Sequence, residues 1–249
     1  MDHDIAGRTR ETAHAILPLT HLVRMAVGDA DPLSVDIWAA DIDRAGEYDH
    51  VLSPDERDRA RRFRFERDRQ RFVTCRALLR CVLASCVDAG PGEIELTHGD
   101  FGKPRLKWPA AADLDFNVSH AGGFALFAIS NGAAVGIDLE RIRPLDDVDR
   151  LARAVFSAAE QRAFEALPPA ARTRAFYDGW TRKEAYIKAL GDGLQHPLDT
   201  FAVTLAPGAQ AQLLHVDGRP GEPARWHLAG IDAGPAHAAA ICVERRRLH

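Results

Sequence analysis

The sequence is poor in lysine, in cysteine and in long apolar runs, and each shortage excludes something. No run approaches the ~18 apolar residues of a membrane-spanning helix. The first ten residues, MDHDIAGRTR, mix acids and bases with no apolar stretch behind them to make a secretion signal. Membrane insertion and secretion are therefore not expected. The four cysteines, Cys75, Cys81, Cys86 and Cys242, form no C-x-x-C pair, which argues against a zinc site or a thiol redox centre and fits a reducing cytoplasm. An excess of one charge is also missing. With 32 basic and 36 acidic residues and a net of −4, the chain as a whole offers nucleic acid no footprint. The familiar nucleotide loops are absent too: there is no G-x-x-x-x-G-K-[ST] and no G-x-G-x-x-G, and Ser119 does not sit in G-x-S-x-G.

What is present is a globular balance, 46% hydrophobic and 27% charged over 249 residues. That length is about 1.7 times a typical domain, so it makes one large domain or two small ones. Leu33 to Asp43 alternates apolar and polar residues as a strand does. A long helix then opens at Ser53-Pro54-Asp55-Glu56, with serine as N-cap, proline at the first position and acids in the first turn. Allowing one break, its pattern runs to about Val87, with Phe72, Cys75, Leu79, Val82, Leu83 and Cys86 on one face and Arg69, Arg76 and Arg80 along its border. Ile94 to Thr97 reads as a strand and His98 to Pro104 as a glycine turn. Leu114 to Ser119 and Phe124 to Ser130 read as strands around His120-Ala121-Gly122-Gly123.

The second half repeats the plan at an offset of about 100 to 110 residues. Ala133 to Ile142 is a strand, Arg172 to Leu190 a helix, and Phe201 to Leu205, Ala224 to Ile231 and His237 to Val243 are strands again. The expected fold is α+β: two similar lobes in a pseudo-two-fold arrangement, each a small, mainly antiparallel sheet packed on a long helix. The N-terminal lobe would span residues 1–131, with 1–30 an extension of uncertain structure, and the C-terminal lobe 132–249.

The strongest chemical signal is Gly136-Ile137-Asp138-Leu139-Glu140. On a strand, Asp138 and Glu140 share a face while Ile137 and Leu139 turn to the core. Crowded carboxylates call for a cation, and hard oxygen ligands suit magnesium; the alternative is a strand end whose acids are simply solvated. The second helix, with Trp180-Thr181-Arg182-Lys183-Glu184-Ala185 and then Lys188, adds Glu184 as a third carboxylate and Lys188 as a cation for a phosphate or a leaving group. The bland reading of that pair is a surface i, i+4 contact. Lys103 in its turn and Ser119-His120 at a strand end suit a phosphorylated ligand, although a lone histidine after a strand is more often structural.

Gly136-Ile137-Asp138-Leu139-Glu140, followed about forty residues later by Trp180 to Ala185 and Lys188, resembles the 4′-phosphopantetheinyl transferases. The chain length, Phe101-Gly102-Lys103-Pro104 and Phe116-Asn117-Val118-Ser119-His120 are similar to the larger, single-chain Sfp type, a monomer in which two lobes form a pseudo-dimer. The resemblance implies that Asp138, Glu140 and Glu184 hold magnesium on the pyrophosphate of coenzyme A. It implies that Lys188 stabilises the transferring phosphate or leaving group, that His120 contacts the pyrophosphate, and that Lys103 and Ser119 help hold the nucleotide. Arg59 and Arg71 fall where the family places contacts to the 3′-phosphate, and Glu160 matches an acid proposed to assist catalysis. Phe72 departs from the threonine that some members carry after the arginine. The implied partner is an apo acyl-carrier or peptidyl-carrier protein. Two other readings stand beside this one: a magnesium-dependent nuclease or phosphoesterase using the same acids, and a non-enzymatic basic module built on the arginines from Arg57 to Arg80. The latter is weakened by Asp58, Glu66 and Asp68.

Overall fold

In the computed structural model, the structure describes residues 19–27, 33–44, 46–99, 102–110, 113–191 and 196–245. The first eighteen residues, with Phe101 of the lysine turn and Gly193 after the second helix, lie outside the described residues.

The strands of the first half are β1 (Leu19–Val27), β2 (Leu33–Asp41), β3 (Glu95–His98), β4 (Pro104–Trp108), β5 (Leu114–Ala121) and β6 (Phe124–Asn131). Its helices are α1 (Pro54–Arg61) and α2 (Glu66–Ala84). The second half runs β7 (Val135–Arg141), α3 (Val148–Val155), α4 (Ala158–Glu165), α5 (Pro169–Leu190), β8 (Phe201–Val203), β9 (Leu213–Val216), the short α6 (Glu222–Arg225), β10 (Trp226–Gly230) and β11 (His237–Glu244).

Two antiparallel sheets carry the fold, ordered β1-β2-β6-β5 and β10-β11-β7. Apart from β1 they share one plan. The run β2-β6-β5 has its counterpart in β7-β11-β10, the long α2 in α5, the small hairpin β3-β4 in β8-β9, and the capped α1 in α4. This is the α+β, two-lobed architecture expected. Each long helix packs on its own sheet: Leu78, Leu79, Val82 and Leu83 of α2 meet Phe116, Phe127 and Ile129, while Ala185, Tyr186 and Ala189 of α5 meet Leu228, Ala238 and Ala240. The opposite sheet faces meet each other through Val35, Ile37, Leu126 and Ala128 from one sheet and Val135, Ile137, Leu139, Ile241 and Val243 from the other. Strands buried on both faces are apolar almost continuously, as β6 is.

Two expectations need correcting. Arg80, expected on the polar border of its helix, is 1% exposed, because the turn before β3 folds over it. Its guanidinium pairs with Glu56 at 2.7 Å and donates to the carbonyls of Pro91 and Ile94 at 3.1 and 2.7 Å. Cys86 is exposed rather than part of the apolar face, since the helix ends at Ala84. The extension of uncertain structure contributes β1, which pairs along β2 from Leu19↔Ala40 to Val27↔Leu33. The start at Ser53 holds: its hydroxyl accepts from Glu56 N and the Glu56 carboxylate accepts from Ser53 N, a reciprocal cap. The allowed break falls between Arg61 and Glu66.

Candidate active site

The site forms where the helix-facing side of β7 meets α5. Successive residues of a strand alternate sides, so with Ile137 and Leu139 in the core between the sheets, Gly136, Asp138 and Glu140 face the helix. Glycine at 136 has a physical reason. A Cβ there would run into the backbone of α5 at Ala185 O and Ala189 N, so only glycine lets the helix lie directly on the strand. That close approach brings Glu184 and Lys188, one turn apart, over Asp138.

Asp138 is buried. Its Oδ1 accepts from Lys188 Nζ at 2.5 Å and from Ser119 Oγ at 3.0 Å, while its buried Oδ2 has no hydrogen-bond partner. Lys188 also reaches Ser119 Oγ at 3.3 Å and the Ile137 carbonyl at 3.4 Å. Glu184 is buried with Oε1 unpartnered. Glu140, half-buried, accepts from the Trp180 indole N–H at 3.2 Å. Burial first, and then the charge of Asp138, push both Glu140 and Glu184 above the ordinary glutamate range. Three carboxylates thus share one lysine, and two of their oxygens are buried without donors. Hard oxygen donors short of positive charge fit a divalent cation. Among the described residues, no three or more acidic, histidine or cysteine side chains already stand in position to hold one.

His120 follows Ser119 at the end of β5 and keeps an exposed edge. Crowding by its surroundings, and then the positive charges of Lys188 and Arg71, hold its imidazole below the usual histidine value. Arg71 on α2 grips Asp43 with two hydrogen bonds of 2.6 and 2.8 Å. The turn at Gly122-Gly123, both with positive φ, is where β5 passes into β6. The space beside these glycines is taken by protein: a Cβ on Gly123 would strike the Asp43 carboxylate, and one on Gly122 would press on Arg141 at 2.7 Å.

The structure therefore brings Asp138, Glu140, Glu184, Lys188, Ser119, His120 and Arg71 to one region and leaves three expected residues elsewhere. Lys103 pairs with Asp115 at 2.6 Å and donates to the Val135 carbonyl at 2.9 Å, at the end of β7 away from Glu140. Arg59 is exposed on α1, its guanidinium 5.1 Å from the centre of the Phe72 ring. Glu160 is 2% exposed and locked in a buried pair with Lys183 at 2.6 Å; it also accepts from Ser157 N and Val203 N. It caps α4 and does not reach the carboxylate cluster. Trp180 and Asp43 escaped the sequence reading as partners of Glu140 and Arg71. An indole beside an acid leaves no distinctive spacing, and the Asp43–Arg71 contact bridges 28 residues.

Two sheets meeting face to face thus hold a buried acid cluster and a lysine between strand and helix. Comparison with known proteins makes this particular. Residues 38–132 match the family model for the N-terminal part of 4′-phosphopantetheinyl transferase, and residues 134–242 match that of the 4′-phosphopantetheinyl transferase superfamily. The chain is 38% identical over 164 residues to the 4′-phosphopantetheinyl transferase HetI of a Nostoc species, covering 66% of this chain and 69% of that protein. It is 32% identical over 201 residues to a 4′-phosphopantetheinyl transferase of Bacillus subtilis, covering 80% and 86%. With Sfp of Bacillus subtilis strain 168 it shares 29% over 191 residues, covering 77% and 81%. The chain belongs to the 4′-phosphopantetheinyl transferase family. The hydrolytic and non-enzymatic readings find no support in these relatives.

Proposed function

We propose that the protein moves the 4′-phosphopantetheine arm of coenzyme A onto a serine of an apo acyl- or peptidyl-carrier protein and releases 3′,5′-ADP. The observation that carries this reading is the cluster of Asp138, Glu140 and Glu184, three carboxylates with the one cation of Lys188 among them, in a chain of this family. The serine oxygen attacks the β-phosphorus, the bond from that phosphorus to the oxygen shared with the α-phosphate breaks, and the serine proton passes to a base. Catalysis of this kind rests on positioning and charge balance.

Asp138, Glu140 and Glu184 would hold magnesium, which when bound supplies charge neutralisation to the two phosphates. Lys188 offers its ammonium to the oxygen that gains charge as ADP leaves. Glu184, beside Asp138 and with one oxygen that lacks a donor, is assigned as the base. His120 and Arg71 provide donors toward the phosphates, Arg71 only by sharing or leaving Asp43. Arg59 and Lys103 are assigned to the outer part of the nucleotide. Glu160 is given a structural role in this scheme. We assign the chain to two lobes joined at residues 131 and 132, to a monomer and to the cytoplasm, with no nucleic-acid or membrane partner. Among the described residues no helix is long and apolar enough to cross a membrane.

The test is to incubate the protein with coenzyme A, magnesium and a panel of apo-carriers. A mass gain of one phosphopantetheine on the carrier serine is expected, and its absence from every carrier would overturn the proposal.

A further inference from the structure

Besides packing face to face, the two sheets bring their edge strands β5 and β7 side by side, with no main-chain ladder between them. An unpaired edge leaves every second N–H in need of an acceptor. Here those groups are met by side chains. Asp115 Oδ2 accepts from Val135 N at 2.8 Å, Asn117 Oδ1 from Ile137 N at 2.9 Å, and Ser119 Oγ from Leu139 N at 3.1 Å. Three alternate residues of β5 thus hold three alternate residues of β7, rung by rung.

The outer rungs have other partners. Asp115 also binds Lys103, and Ser119 also donates to Asp138. The middle rung is Asn117, 5% exposed, whose oxygen holds the peptide just before Asp138. That stretch is fixed on every side, since Ser119 takes the N–H just after Asp138 and Lys188 reaches the Ile137 carbonyl. We infer that Asn117 is a positioning residue for the transfer: by setting β7 against β5 it places Asp138 opposite Ser119 and Lys188. This rests on the transferase reading above. Without Asn117, β7 keeps its bonds to β11 on the other side, so the fold survives. The strand is then free to shift along β5, and small displacements of a reacting constellation carry large rate penalties.

The experiment compares Asn117→Ala, which removes the acceptor, with Asn117→Asp, which keeps it. A third variant, Val82→Ala, loosens the α2 core on the far side of the first sheet. Hydrogen exchange at the Ile137 amide, kcat and the KM for coenzyme A are read on each. Asn117→Ala is expected to speed exchange at Ile137 and to lower kcat about tenfold or more, with KM within about threefold; Asn117→Asp should recover kcat to within about threefold of wild type. Val82→Ala should keep kcat where it is fully folded. The inference is overturned if Asn117→Ala keeps kcat, if it loses no more than Val82→Ala, or if Asn117→Asp is no better than the alanine. Should Asn117→Ala not fold, Asn117→Leu, close in shape and without an acceptor, takes its place under the same criteria. Failure of the wild type to load any carrier would instead sink the transferase reading, leaving the Ile137 exchange result to judge the rung alone.

Discussion

The two lobes are built alike around one device, a buried ion pair between a capping glutamate and a cation on the long helix. In the first lobe Glu56, in the reciprocal cap of α1, meets Arg80; in the second Glu160, in the reciprocal cap of α4, meets Lys183. Both cations also donate to the carbonyl of a residue at or just before the following hairpin, Ile94 and Phe201. The pair ties cap, helix and hairpin together in each half. Beyond it the lobes diverge. One and five residues after Lys183 stand Glu184 and Lys188, where the first lobe has Cys81 and Ser85; a hundred residues before Asp138 and Glu140 stand Trp38 and Ala40. At these positions the first copy carries no charge, and the second carries three acids and a lysine. The scaffold is shared, and these four positions set the copies apart: Asp138, Glu140, Glu184 and Lys188 in one, Trp38, Ala40, Cys81 and Ser85 in the other.

The sharpest way to break that comparison is to remove the charge. Asp138→Ala and Glu184→Ala should each lower transfer by at least about a hundredfold, with circular dichroism and melting behaviour like the wild type. If both stay active at saturating magnesium, the acid cluster is not the reacting centre. A different separation is expected for the shared ion pairs. Glu160→Gln leaves Lys183 buried without its counter-charge and should cost about 3 kcal/mol or more in urea unfolding, as should Glu56→Gln for Arg80. Activity per folded molecule should stay within about threefold of wild type for both. A Glu160→Gln variant that melts normally but has lost kcat would return that residue to the catalytic set.

Gly136→Ala tests the contact on which the asymmetry depends. The added methyl meets the backbone of α5 rather than a side chain that can swing away. A cost of about 1–3 kcal/mol is expected, as for overpacking elsewhere. Because the helix must lift from the strand, kcat should fall with stability. Normal melting together with normal kcat would mean that α5 does not need to sit so close.

Much of this was legible in the residues. The cap at Ser53, the alternation of β2 and β7 and the acid pair on one face of β7 follow from local rules, since each is set by neighbours one to four positions away. What escaped depends on distant partners. Arg80 looks like a border residue on a helical wheel, and only the turn at residues 91–93, folded back over it, makes it a core residue. Glu160 sits in a motif, but its partner is not local: a cap glutamate and a helix lysine 23 residues later can find each other only once the lobe has folded. Lys103 pairs with Asp115, twelve residues on across a turn and a strand, a contact that no local spacing announces. The Asp115, Asn117 and Ser119 series alternates visibly in sequence. Nothing local says that its acceptors serve a second sheet rather than solvent.

The smallest expected effect concerns how far the cations of the two lobes sense each other across the junction. His120 comes from the first lobe, and among the causes that hold its pKa down, after burial, are Lys188 from the second lobe and Arg71 from the first. Removing one positive charge therefore favours the imidazolium: in Lys188→Ala the His120 pKa should rise toward the ordinary histidine value, and burial should keep the rise partial. The sign also bears on stability. A histidine whose folded pKa lies below its unfolded value binds fewer protons when folded, so its part of the stability is lost as pH falls from the unfolded value through the folded one. In Lys188→Ala that loss should shrink. An NMR titration of the His120 ring protons in both proteins reads the shift directly, and an unchanged midpoint would mean that the two lobes do not share an electrostatic site at this point.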